Sequence, residues 1–390
     1  MISPLMPTYK RADLAFERGE GSYLYSTDGR RFLDFAAGIA TCALGHAHPH
    51  LVETLRQQAG MVMHVSNLFR IPQAERLAER LVTNTPFADS VFFCNSGTEA
   101  NEGMIKMVRR AHMLAGNPER TDILCMEGAF HGRTLAMLSA TGNPKYLEGF
   151  GDPVAGFYHV PYNDIQALRA AITPRTAAIL LEPIQGESGI RTACADYLRA
   201  VRALCDETGI FLALDEVQTG VGRTGYLFAH EWAGIEPDIM STAKGLGGGF
   251  PIGAILAREA LAVGMTVGTH GTTFGGNPMA CTAANAVLDV LLAPGFLDQV
   301  KARGVFLAQL LDDLIIQYPH ILAERRGLGL LIGLRCIPPV SVVQTAAQNA
   351  GLLCVTAGDN VLRLVPPLTV SEEECSQAVA HLAQALNTLN

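Results

Sequence analysis

Among the five lysines of this 390-residue chain, at 10, 106, 145, 244 and 301, only Lys244 lies in apolar, glycine-rich surroundings, STAKGLGGGFPIG. Burial disfavours an ammonium ion and lowers its pKa, so a lysine here is expected to offer a neutral amine that condenses with a carbonyl. Upstream, the apolar run IFLALDEVQTG sets Asp215 at the end of an expected buried strand. A Schiff-base lysine and an aspartate facing a ring nitrogen together suggest an aldehyde cofactor on a basic aromatic ring. Val217, on the same side of the chain as Asp215 if strand geometry continues, is expected to pack against that ring. Gln218 is expected to reach a ring hydroxyl, and Glu216 is counted with the cofactor-side residues.

Other residues extend the pattern. The SGT at 96–98 follows one expected strand and opens a helix, so the backbone of Gly97 and the hydroxyl of Thr98 suit a phosphate at the positive helix end. An ordinary glycine turn with an N-cap explains the same letters. No GxxxxGK[ST] is present to argue for a nucleoside triphosphate. Phe130, in GAFHGRT, reads either as core packing or as an aromatic over the cofactor face. Arg133 and Arg363 each suit a bidentate grip on a carboxylate, and Glu187 is the expected countercharge of Arg363, although plain salt bridges are the alternative for all three. The GHAHPH histidines at 46, 48 and 50 have Pro49 among them and no cysteine pattern nearby, which argues against a metal site. The GRTG at 222–225 reads as a turn.

These residues need a scaffold. Residues 20–35 alternate around a DG turn as a hairpin would. From about residue 70 helical and strand patterns alternate. PQAERLAERLV leads to SVFFCN, and a helix follows in which Ala100, Met104, Val108 and Ala111 recur on one face. Further strands are expected at 122–127, 177–184 and 211–217, with a short one before Lys244. A crossover helix buries Leu198, Val201 and Leu204 or Cys205. This is an α/β pattern with a mostly parallel central sheet over about 90–260. Helices after residue 278, followed by short strands, read as a smaller α+β unit. The expected division is 1–60 joining the small unit, 61–280 as the large cofactor-binding unit and 281–390 as the small one.

Composition narrows the function further. A 49% hydrophobic and 17% charged composition implies extensive burial, some of it against another subunit. A net charge of −8 with scattered basic residues argues against nucleic acid and membrane surfaces as partners. Nine cysteines with no CxxC spacing read as reduced core residues of a cytoplasmic protein. Neither a secretory leader nor a membrane-spanning run of ~18 apolar residues is expected.

Taken together, NSGTEAN, FHGRT, EPIQGESG, LDEVQTGVGRTG, STAKGLGGGFPIG and HGTTFGGNP resemble the class III aminotransferases, pyridoxal 5′-phosphate enzymes of fold type I, over essentially the whole chain. The resemblance implies that Lys244 carries the cofactor, that Asp215 partners the ring nitrogen, and that Val217 and Phe130 sandwich the ring. Gly97 and Thr98 would hold the phosphate, with Thr273 of a second subunit completing it and Thr272 touching substrate there, so a homodimer with shared active sites is implied. Arg133 would hold the donor carboxylate, while Arg363 and Glu187 would form a switch for the oxo acid. The compact length and the opening GEGSYLYSTDGRRFLDFAAGIATCALGHAHP further imply transfer of the δ-amine of N2-acetyl-L-ornithine to 2-oxoglutarate in bacterial arginine biosynthesis. Other ω-amino donors, or an aminomutase of the glutamate-1-semialdehyde type, are the alternatives. Thr272 stands where serine is more usual, and Ser26, Cys42 and the EGA at 127–129 also depart from the common pattern.

Overall fold

The computed structural model describes residues 4–389. Seven strands make the central sheet, in the spatial order Ser90–Cys94, Gly253–Ala257, Ile239–Thr242, Phe211–Asp215, Thr176–Leu181, Asp122–Met126 and Phe157–Val160. Gly253–Ala257 runs antiparallel to both neighbours and the other adjacent pairs are parallel. Every residue of Thr176–Leu181 and of Gly253–Ala257 is buried, as a sheet covered on both faces requires.

The expected α/β class is therefore met, with local corrections. The strand expected over 211–217 stops at Asp215, and the one over 177–184 stops at Leu181, two residues before Pro183, which has no N–H for a ladder. Val217 therefore does not share a strand face with Asp215. Two strands of this sheet are not among those expected. FYHV at 157–160 is short and partly polar, and GAILA at 253–257 follows the glycine-rich lysine loop so directly that it reads as more loop.

Local chemistry starts and stops the helices that support this sheet. Gly97–Leu114 begins where Ser96 Oγ accepts from Glu99 N at 3.2 Å, while the Glu99 carboxylate reaches back to Asn95 N at 2.7 Å. Its buried face carries Ala100, Met104, Val108 and Ala111, as expected. The crossover helix Ala195–Thr208 buries Leu198, Val201, Leu204 and Cys205, and Gly209 ends it at φ 64°.

A second, antiparallel sheet orders Leu322–Leu328, Leu331–Cys336, Val361–Leu364 and Val355–Ala357. The N-terminal hairpin strands Tyr23–Ser26 and Arg31–Asp34 form as expected. Arg31–Asp34 then pairs in parallel with Leu352–Leu353, so the two ends of the chain share a sheet. Residues 1–3 of the expected 1–60 segment, and residue 390, lie outside the described residues. The boundary expected at 280/281 falls inside the continuous helix Pro278–Leu291, which Arg80 ties down through a 2.8 Å bond to Asn285 O. The GRTG segment is a turn, with Gly222 and Gly225 at φ 84° and 86°. Its Arg223 is buried and donates to the carbonyls of Leu330 and Pro366, stitching the turn to the C-terminal region. Among the described residues no single helix is long and apolar enough to cross a membrane.

Candidate active site

Chain segments leaving the carboxyl ends of the parallel strands converge on one cavity of about 360 Å³. Asp215, Glu182, Asn95 and Lys244 all sit just there, the edge of an open α/β sheet where ligands bind. Gly97, Thr98, Phe130, Val217 and Gln218 line the same space.

Asp215 is buried and held from three directions. Oδ1 accepts from Val217 N at 3.0 Å, and Oδ2 accepts from Asn101 Nδ2 at 2.7 Å and lies 2.8 Å from His131 Nδ1. Asn101 in turn donates to His131 O at 2.8 Å and accepts from Ser241 Oγ at 2.6 Å, so the carboxylate cannot rotate without breaking this set. The bond from Val217 N also explains how Val217 reaches the cavity without strand geometry, because an aspartate that accepts from the amide two residues on closes a tight turn. Val217 then lies against the helix start: a Cβ at Gly97 would meet Val217 Cγ1 at 2.7 Å.

Lys244 follows Ile239–Thr242 with φ 41°, a left-handed conformation that costs a non-glycine residue ~1–3 kcal/mol. Its amine makes no hydrogen bond or ion pair among the described residues. Part of the side chain faces the cavity, which leaves the residue half-buried by surface area, but the protein packed around it still dominates its titration. Burial first, then the Arg363 charge, lowers its pKa from 10.5, against the opposing pull of Glu187, Asp215 and Glu182.

Glu182 is a buried carboxyl on the cavity wall whose Oε2 accepts from Phe130 N at 3.0 Å. Burial, then the Asp215 charge, raises it well above the ordinary carboxylate range. Glu187 behaves in the opposite way. Burial alone would raise it, but the charge and hydrogen bond of Arg363 outweigh burial and hold it low. Arg363 Nη1 lies 2.6 Å from Glu187 Oε1, donates to Gln218 Oε1 at 2.9 Å and to Gly186 O at 3.2 Å, and leaves its Nε buried and unpartnered.

Arg133 is exposed and has no carboxylate partner among the described residues; its guanidinium lies 3.8 Å from the Tyr146 ring centroid and 5.4 Å from that of Phe130. Thr272 is joined to the cavity wall only through a 3.4 Å bond from Asn95 Nδ2, and Thr273 is exposed. Neither lines the cavity of its own chain. Glu216 points away from it: its carboxylate accepts from the amides of Ala229 and His230 at 2.6 and 2.8 Å and from Thr219 Oγ1 at 2.9 Å. Of the three clustered histidines, His46 pairs with Asp34 at 2.8 Å and His50 with Asp289 at 2.9 Å, so they serve separate carboxylates.

Asn101, Glu182, Ser241 and Tyr146 are not among the residues expected from motif or spacing, and His131 enters there only as a letter of FHGRT. Asn101 carried a signal, since it is an amide beside Ala100 on a helix whose inward positions are mostly apolar. His131, Glu182 and Ser241 become neighbours only when separate strands align.

The chemistry of this donor set fits an aromatic aldehyde phosphate. It supplies an unpaired amine, a fixed carboxylate, a helix N-terminus with free amides and a flat wall formed by Val217. A family model described as aminotransferase class-III matches residues 6–386, and the chain belongs to that family, whose members use pyridoxal 5′-phosphate. It is 57% identical over 389 residues to the acetylornithine aminotransferase of Brucella melitensis biotype 1, covering 100% of this chain and 96% of that one. It is 50% identical to the acetylornithine aminotransferase of Gloeobacter violaceus, covering 97% and 94%. Among solved structures, the N-acetylornithine aminotransferase of Stenotrophomonas maltophilia K279a superposes with a TM-score of 0.86 at 37% identity, over 98% of this chain and 97% of that one. The ornithine aminotransferase of Toxoplasma gondii superposes at 0.94 with 29% identity, over 99% and 93%.

Proposed function

We propose that this chain transfers the δ-amino group of N2-acetyl-L-ornithine to 2-oxoglutarate, giving N-acetyl-L-glutamate 5-semialdehyde and L-glutamate, as a step of arginine biosynthesis. The observation that carries the reading is a pair of arginines held against residues of the cavity wall, Arg363 bonded to Gln218 and latched by Glu187, and Arg133 beside Phe130 with no carboxylate partner among the described residues. An enzyme that accepts first a donor with a distant amine and then an α-oxo acid needs such a pair, one receptor standing open and the other uncovered only for the second partner. The names of the relatives support the acetylated donor.

Bound in this cavity, pyridoxal 5′-phosphate supplies an electron sink for the charge left when a proton is removed from the carbon that bears the amine. Gly97 and Thr98 would hold its phosphate at the positive end of the helix, completed by Thr273 from a second copy. Val217 and Phe130 would flank the ring, and Gln218 would face its hydroxyl. Asp215, fixed by Asn101 and His131, would keep the ring nitrogen protonated. Lys244 Nζ takes the proton from the donor δ-carbon and returns it as general acid, work for which an amine of lowered pKa is suited. Arg133 binds the donor carboxylate. Arg363 binds the α-carboxylate of 2-oxoglutarate once Glu187 swings away, and Thr272 of the second copy borders the substrate.

A homodimer is part of this proposal, supported by the exposed Met61, Met63, Leu68, Phe69 and Phe274 around the loop that carries Thr272 and Thr273. The pairing of Arg31–Asp34 with Leu352–Leu353 supports grouping 1–60 with the C-terminal unit, with 61–280 as the core of the large one. A cytoplasmic location accords with nine unpaired cysteines. The test is steady-state kcat/KM for N2-acetylornithine, N2-succinylornithine, ornithine, 4-aminobutyrate and acetyllysine with 2-oxoglutarate as acceptor. Acetylornithine should lead the series. A clear preference for any other donor, or turnover without an oxo acid, would replace this reading.

A further inference from the structure

The exposed guanidinium of Arg133 has no ion pair among the described residues, yet its position is defined. It lies over the face of Tyr146 at 3.8 Å and over Phe130 at 5.4 Å, and those two rings meet edge to face with centroids 6.3 Å apart. Two rings at right angles form a corner, and a planar cation seated there is attracted by both π faces. The backbone beneath each ring is anchored. Phe130 N donates to Glu182, and Tyr146 sits in the single-turn helix Pro144–Leu147, which starts under the Asn143 cap. Both rings also line a second cavity, of about 540 Å³, which includes Glu187 on its wall and meets the first at Phe130.

We infer that Tyr146 is a positioning residue, whose ring face holds the Arg133 guanidinium toward the substrate cavity so that the carboxylate of the donor finds it ready. A free arginine side chain spreads over many rotamers, and most of that freedom is lost when a carboxylate fixes it. Holding the cation on an aromatic corner removes part of the cost beforehand and leaves the N–H edges free, which a carboxylate partner would not do. The ring face does this work and the hydroxyl does not, since Tyr146 Oη makes no hydrogen bond among the described residues. This inference rests on the proposed reading that Arg133 binds the donor carboxylate.

The experiment compares cofactor-loaded Tyr146→Leu, Tyr146→Phe, Arg133→Leu and the parent enzyme on two donors, N2-acetyl-L-ornithine and N-acetyl-1,4-diaminobutane, which differ only in the carboxylate. The readout is the ratio of their kcat/KM values, which a general loss of folded or loaded protein leaves unmoved. Tyr146→Leu should lower the ratio about three- to fivefold, the size of a partly exposed cation–π contact, mostly through the KM of acetylornithine. Tyr146→Phe should stay within about twofold of the parent, because the face is retained. If Arg133→Leu collapses the ratio and Tyr146→Leu does not, the inference fails alone. It also fails if Tyr146→Phe falls as far as Tyr146→Leu. A ratio that survives Arg133→Leu overturns the reading of Arg133 and this inference with it.

Discussion

Arg363 and Glu187 form a 2.6 Å ion pair in which the arginine side chain is 2% exposed and the glutamate 30%. The arginine is locked by Gln218 and Gly186, so the glutamate is the partner free to leave. Removing it by Glu187→Ala leaves Arg363 uncovered in both half-reactions. The single-turnover preference for L-glutamate over N2-acetylornithine should then rise by about tenfold or more, a shift of ~1.4 kcal/mol. An unchanged preference would show that the pair is structural only.

Lys244→Ala removes the proton carrier. Single-turnover rates with acetylornithine should fall by roughly 10²–10⁴-fold or more, the usual worth of a positioned acid–base group. Lys244→Arg should be no better, because a guanidinium stays protonated. Retention of the parent rate by either variant would remove the lysine from the mechanism.

Glu182 makes a pH-dependent contribution whose sign is fixed. With its pKa raised above 4.5, the folded protein keeps a proton that the unfolded chain has released, so this residue costs stability as pH climbs from 4.5 toward the raised value. Glu182→Gln keeps the shape and cannot ionise. Relative to the parent, its melting temperature should therefore improve between pH 4.5 and neutrality; a constant or shrinking difference would mean that the folded protein holds the group ionised.

Asn101→Ala takes one donor from Asp215 Oδ2 and strands Ser241 Oγ in a buried site. A loss of about 1–3 kcal/mol in urea unfolding is expected, since unmade buried hydrogen bonds cost that much each. Weaker retention of pyridoxal 5′-phosphate on dialysis should accompany it. No change in either would show that His131 and the Val217 amide suffice.

Much of this site could be read in the sequence because its residues interrupt apolar runs. A lysine among glycines and an aspartate closing FLALD stand out wherever they fold. The arginines are legible only as types, and Arg133, in the loop before Leu135–Thr141, gains its aromatic seat from Tyr146 of the separate helix Pro144–Leu147. Glu216 was misplaced because adjacency to Asp215 says nothing about direction once the strand has ended, and here the chain turns the carboxylate toward Ala229 and His230. Val217 reached the cavity for a different reason from the one expected, a turn instead of a pleat. The antiparallel Gly253–Ala257 was hidden because a buried strand after a glycine loop has no alternation to announce it.

That return strand has a consequence for motion. Lys244 sits at the foot of an arch, two residues past the first of its legs, Ile239–Thr242 and Gly253–Ala257, which are neighbours inside the seven-stranded sheet. Neither leg is a free edge, so the backbone that carries the reactive nitrogen cannot shift by local fraying. Amide hydrogens along both legs should exchange with deuterium only when the whole molecule opens.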